Sequence, residues 1–269
     1  VIKDLNFSKY KRFFAFGCSF TRYWWPTWAD LIAQEIAESY NYGKCGAGNH
    51  YIFSNVVYAN QKFQFNKDDL VIVMWTNALR EDRYIENSWI TPGNIYTQGF
   101  YDECFLQYVD ERGFLIRDLG YISAVNAILK NSGCDYDNLS MVSIQNLENY
   151  KTNIKGDQDI IDTFANLLSQ FKPSINEIMY NYDWEKPING IRPVQTFFGF
   201  QKKLNIDYHP PTQTHFDYLN KVYGQLNWSN KTLDYLQYIN KILTTEVVRD
   251  TVGCVSCPTV ASKPLLGNT

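Results

Sequence analysis

The chain holds only three histidines, His50, His209 and His215, among 269 residues, so chemistry that needs an imidazole has few places to occur. His209 lies in DYHPPTQTH, two positions after Asp207 and directly before a proline. Ser19 lies in GCSFT, just past the apolar run RFFAF. A serine hydroxyl becomes a useful nucleophile when a base takes its proton and a carboxylate orients that base. These three residues could therefore carry acyl transfer. A serine in a sharp turn between strand and helix also sits near backbone N–H groups able to receive a developing oxyanion. The same placement suits a helix cap, and both readings of Ser19 stand at this point. His209, on a loop ahead of a helix, is free to reach toward strand ends, whereas His215 falls inside that helix. His50 follows a glycine loop and reads equally as a surface residue or a substrate contact.

The elements that must position these groups follow from hydrophobic patterning. Residues 12–16 predict a buried strand ending at Gly17, followed by a helix with Pro26 at its first position and Trp28, Leu31, Ile32 and Ile36 on one face. Strands are predicted near 39–42, over 70–75, over 139–144 and near 193–198, and helices over 51–61, 119–130, 160–171, 211–222 and 232–243. The run LVIVMW at 70–75 is continuously apolar, as a central parallel strand covered on both faces requires. Alternating strands and helices predict an α/β fold with a parallel sheet between helix layers, whose ligands bind beyond the carboxyl ends of the strands. The main domain is read as 1–247, with an irregular, aromatic-rich insertion around 78–117 and a tail over 248–269 that either packs on something or stays flexible.

Composition narrows the functional classes. Net charge is −3, from 25 basic and 28 acidic side chains without long like-charge runs, which disfavours a nucleic-acid partner. No apolar stretch reaches the length of a membrane span, and VIKDLNFSKYKRFF lacks a signal-peptide core. The expectation is a soluble protein whose compartment the sequence leaves open, with cytoplasmic and virion-associated locations both compatible. Six cysteines are too few for a disulfide scaffold and are read as mostly free thiols. Cys254 and Cys257 have CxxC spacing, but no second ligand pair completes a zinc site. No metal is expected there, and acyl transfer by the serine and histidine above would need neither a metal nor an organic cofactor. The tail could dock a protein partner. Aromatics make up 16% of the chain; most must be packing, and a minority could be platforms for sugar rings.

Taken together, GCSFT, GAGN, WTN and DYHP resemble, in order, the four sequence blocks of the SGNH hydrolases, the GDSL-like esterases. The resemblance spans roughly residues 12–219, and the chain is similar to bacterial and phage members with GCSFT and DxHP blocks. It implies a three-layer α/β/α sandwich of flavodoxin-like type around a mostly parallel sheet. It also implies Ser19 as nucleophile, His209 as base and Asp207 as its orienting acid, with the oxyanion received by the N–H groups of Ser19 and Gly46 and by Asn77. Gly48 is the alternative to Gly46, and Arg80 the alternative polar group of the third block. Arg80, His50 and His215 are carried as candidate substrate contacts, with His215 also read as a supporting helix residue. The sequence departs from the pattern at Cys18, at Trp75 and Ala78 in the third block, and in the Asp–His spacing, which is two rather than three.

The functional expectation is ester hydrolysis on an acylated small molecule or polysaccharide, with carbohydrate O-acetyl groups favoured by the aromatic insertion. Two alternatives stay open: a catalytically eroded binding or structural module, as in a phage particle, and acyl transfer to a sugar hydroxyl by the same residues.

Overall fold

Strand β3 (Asp69–Trp75) is buried along its whole length and organises the structure, a computed structural model. The structure describes residues 2, 4–96, 100–144, 158–181, 194–198, 203–245 and 248–249. Ahead of β3 come β1 (Arg12–Gly17), α1 (Trp28–Ala33), β2 (Glu38–Gly43) and α2 (Asn49–Phe63). After it come the hairpin β4 (Arg83–Ile85) and β5 (Ser88–Ile90), then α3 (Glu103–Leu106), α4 (Glu111–Ser132) and β6 (Asp135–Ser140). The remainder holds α5 (Gln158–Thr163), α6 (Ala165–Leu168), β7 (Val194–Phe198), β8 (Lys203–Asp207), α7 (Thr212–Tyr223), α8 (Asn230–Thr245) and β9 (Val248–Arg249).

The main sheet has the order β2-β1-β3-β6, with every neighbouring pair parallel. Alternation along β1 divides the core into two layers. Phe14 stacks on Tyr40 at 4.9 Å and packs against Phe63 at the end of α2, while Phe13 meets Trp28 of α1 edge-on at 6.3 Å. Helices α2 and α4 pack on each other over one face, and α1 packs with α7 over the other, with α8 packed on α7. The result is an α/β/α sandwich. Each buried aromatic of this kind contributes about 1.5–3 kcal/mol through area removed from water. At the amino end of the sheet, Arg12 grips both carboxylate oxygens of Asp69 at 2.7 Å, locking the register of the two central strands.

Several expectations shift. The fourth strand of the sheet is β6 at Asp135–Ser140, earlier than the apolar stretch over 139–144. Asn138 is paired at both ends of its amide, accepting from the Trp75 indole at 2.8 Å and donating to Asn126 at 2.9 Å, while Asp137 lies 3.7 Å from Lys172 and burial pushes its carboxyl up to about 6. With polar residues at these buried positions, the strand shows no hydrophobic run. Helix α4 starts at Glu111, within the predicted insertion, because Asp110 caps it by accepting from the N–H groups of Arg112 and Gly113. The helix expected over 160–171 breaks at Phe164 into α5 and α6. The strand expected near 193–198 forms outside the parallel sheet: β7 pairs antiparallel with the unanticipated β8 and parallel with β9, in a separate sheet of order β8-β7-β9. Of the predicted tail, Val248–Arg249 forms β9, while Cys254 and Cys257 lie outside the described residues. Among the described residues no helix is long and apolar enough to cross a membrane, no group of three His, Cys, Asp or Glu could hold a metal, and no disulfide joins Cys18, Cys45, Cys104 and Cys134.

Candidate active site

Ser19 stands on the turn that leaves β1 at the carboxyl end of the sheet. The turn closes on the Cys18 carbonyl, which accepts from Thr21 N–H at 2.9 Å and Arg22 N–H at 3.2 Å. Gly17 permits it, because a Cβ there would lie 2.0 Å from Thr21 Oγ1. The helix that follows begins at Trp28, further on than expected, with Pro26 outside it. Thr27 is its cap: its side chain accepts from Ala29 N–H while Asp30 accepts from Thr27 N–H. The cap reading of Ser19 is thereby excluded, and so is a helix N-terminus directly after the serine.

Asp207 ends β8, and His209 follows it on the way to α7. His209 Nε2 lies 2.9 Å from Ser19 Oγ, and its Nδ1 lies 2.7 Å from Asp207 Oδ1. The two-residue spacing has a local consequence. Asp207 Oδ1 also accepts the backbone N–H of His209 at 2.9 Å, so one carboxylate oxygen holds both the main chain and the ring of the same residue. Burial alone would raise the Asp207 carboxyl, but the hydrogen bond and charge of His209, with the Tyr23 hydroxyl, hold it below the usual carboxylate range. Asp207 therefore stays ionised. His209 is 31% exposed against 5% for Asp207, which leaves the imidazole open to a ligand while its acid is shielded.

Contacts between the segments around Ser19 and His209 fix their separation. The Trp25 indole donates to Pro210 O at 2.8 Å, and Thr212 Oγ1 donates to Pro26 O at 2.7 Å. The Tyr23 hydroxyl donates to Asp207 Oδ2 at 2.5 Å. Nothing in the sequence distinguishes these three residues, and Tyr23 is one of 20 tyrosines.

The second and third blocks meet across the ends of β2 and β3. Gly46 has φ +75°, and a Cβ would lie 2.1 Å from Thr91 O, so no other residue fits. The Gly48 N–H is committed to Asp82, whose carboxylate also accepts from Tyr51 N–H at 2.9 Å. Asp82 thus supplies, from another segment, the cap that Gly48 cannot give α2. Asn77 Oδ1 accepts from Leu79 N–H at 2.6 Å, which fixes the amide by its oxygen end. Asn49 braces this loop, accepting from Thr76 N–H and donating to Thr76 O and to Asp118 at 2.7 Å. Trp75 fits where the block pattern carries glycine because its indole is fully buried and bonded to Asn138. Asp82 and Asp118 carry no sequence signal because their partners are distant in the chain, and GAGN does not mark its Asn49 as the brace of the third block.

The three candidate substrate contacts each make interactions of their own. Arg80 donates to Ala47 O at 2.9 Å and approaches Met141 Sδ at 3.9 Å, and that sulfur lies 4.0 Å from Cys18 Sγ. It flanks the second-block loop. His50 stacks on Tyr121 and meets Trp89 edge-on; none of these rings belongs to the Ser19 group. His215 is 1% exposed, which rules out a direct substrate contact, and it packs behind Phe20, whose ring also touches His209. Burial, with the nearby His209 charge, lowers the His215 imidazole to about 3, so it is neutral.

No family model matches the chain, and no curated protein matches it. Among solved structures, it is similar to a GDSL-like lipase from Bacteroides thetaiotaomicron VPI-5482, at 14% identity over 90% of this chain and 93% of that one, with a TM-score of 0.42. It is also similar to a putative acylhydrolase from Bacteroides fragilis NCTC 9343, at 16% identity over 87% and 88% of the two chains, with a TM-score of 0.41.

Proposed function

We propose that this chain is a serine ester hydrolase acting on acyl esters of carbohydrates, O-acetyl groups in particular. The observation that carries the reading is the continuous set of contacts from Ser19 Oγ through both nitrogens of His209 to Asp207. In this scheme Ser19 attacks the ester carbonyl while His209 takes its proton, and ionised Asp207 stabilises the imidazolium. The tetrahedral oxyanion is received by the N–H groups of Ser19 and Gly46 and by the amide nitrogen of Asn77. Gly46 is preferred over Gly48 because the Gly48 N–H is already bonded to Asp82. Asn77 suits the role because its anchored oxygen leaves the nitrogen as the donating end. His209 then protonates the leaving alcohol, and water repeats the sequence in reverse to release the acid.

The carbohydrate part of the reading draws on the segment after Asn77. A cavity of about 440 Å³ there is lined by Phe105, Tyr108 and Phe114 with Glu81, Arg83 and Arg117 on its walls. Aromatic faces beside charged hydrogen-bonding groups suit a sugar ring. Arg117 connects this wall to the second block, donating to Arg80 O at 2.9 Å while Arg80 donates to Ala47 O.

Turnover of a small acetyl ester by wild type and Ser19→Ala tests the reaction: the expected loss is at least about a thousandfold, and equal turnover by the two proteins removes the proposal. Release of acetate from acetylated and deacetylated forms of one polysaccharide tests the substrate class.

A further inference from the structure

Asp207 has two carboxylate oxygens, and a His–Asp pair uses one of them. Here the second is occupied by a residue from the other side of the site. The Tyr23 hydroxyl reaches Oδ2 at 2.5 Å, and the Tyr23 ring lies face to face with the His209 imidazole, centroids 3.9 Å apart and planes 18° from parallel. One side chain therefore touches both members of the pair. Trp25 packs edge-on against Tyr23 at 4.7 Å and is itself tied to Pro210, so the tyrosine is held from behind by the loop that bears His209.

We propose that Tyr23 is a positioning residue for the reaction, its hydroxyl fixing the free oxygen of Asp207 and its ring backing the imidazole as it gains charge. This rests on the reading of Ser19, His209 and Asp207 as a hydrolase site. Two physical effects follow from the contacts, and they oppose each other. A donor on Oδ2 withdraws charge from the carboxylate and weakens its pull on the His209 proton. An aromatic face against the imidazolium stabilises the charged ring. The hydroxyl can only donate to Asp207, because burial and the neighbouring carboxylate raise Tyr23 far above the ordinary phenol range. The other groups facing His209 are Ser19 and Phe20 from the same turn and His215 from α7, with Cys45 beside Tyr23.

The opposition makes the role separable from simple packing. Tyr23→Phe keeps the ring and removes the donor. The expected result is a fall in kcat of about tenfold, the scale of one charge-assisted hydrogen bond, with KM little changed. The acid limb of kcat/KM should move up by on the order of half a pH unit, because an unshared carboxylate holds the imidazolium proton more strongly. Tyr23→Leu removes both contacts, and its limb should fall back below that of Tyr23→Phe. An NMR titration of the His209 ring, assigned by His209→Gln, reads the same displacements without turnover. If wild type hydrolyses no ester but Tyr23→Phe still raises the His209 titration, the hydrolase reading fails and the coupling stands. If Tyr23→Phe leaves both the titration and kcat unchanged, Tyr23 is packing alone and the proposal is overturned.

Discussion

Two buried aspartates lie on opposite faces of the sheet, and they are held in different electrostatic states. Asp207, on the side of α1 and α7, receives hydrogen bonds from His209 and Tyr23 and is kept below the usual carboxylate range despite burial. Asp118, on α4, is bonded by Arg117 at 2.8 Å and Asn49 at 2.7 Å, yet burial prevails and pushes it up to about 7. Arg117 is divided between Asp118 and Glu81, at 2.8 and 2.5 Å, so its charge is shared. Burial alone does not mark an acid as functional. What separates the two is whether the partner donors compensate the lost hydration, and whether one partner, His209, is open to solvent.

Neutralising each acid in turn separates the two. Asp207→Asn is expected to lower kcat by about 10⁴. Asp118→Asn is expected to leave kcat within about tenfold, since an amide can still accept from Asn49. If the two variants lose activity alike, the distinction between them is wrong.

Next in size comes Gly46→Ala. Forcing a side chain at φ +75° against Thr91 O should cost about 1–3 kcal/mol, read as a lowered unfolding midpoint in urea together with reduced esterase turnover. If Gly46→Ala retains wild-type stability, the second-block loop is looser than its geometry indicates.

The smallest effects are on the pH dependence of stability, and they carry opposite signs. Asp118 titrates higher folded than unfolded, so its contribution is full below about pH 4, the unfolded carboxylate value, and is lost as pH rises toward about 7. Asp118→Asn should flatten that decline. His215 titrates lower folded than unfolded, so its contribution is present above about pH 6.5 and is lost as pH falls toward about 3. His215→Gln should reduce that acid sensitivity, as measured by urea midpoints from pH 3 to 8. Unchanged slopes in both variants would place the pH response elsewhere in the chain.

The two halves of the site are also unequally legible in sequence. β1 and β3 are readable because continuous apolar runs have few alternatives, and Ser19 and His209 stand out through block order and the scarcity of histidine. β6 is displaced from its expected place because Asp137 and Asn138 are buried polar residues whose partners, Lys172, Trp75 and Asn126, come from elsewhere in the chain. For the same reason Asp82 and Asp118 give no signal, and the GAGN block does not reveal what its Asn49 holds: each acts through a contact made only on folding. Tyr23 sits four residues from Ser19, but nothing in TRYWWP tells which aromatic turns back onto the imidazole.

On the proposed reading, Ser19 is a nucleophile activated through His209 and Asp207. Intact-mass measurement after exposure to a fluorophosphonate tests it whatever the natural substrate is. The expected result is one adduct per chain, mapped to Ser19, absent in Ser19→Ala and formed far more slowly in Asp207→Asn. A folded wild-type protein that takes up no label, or one that is labelled equally fast after Asp207→Asn, would contradict it.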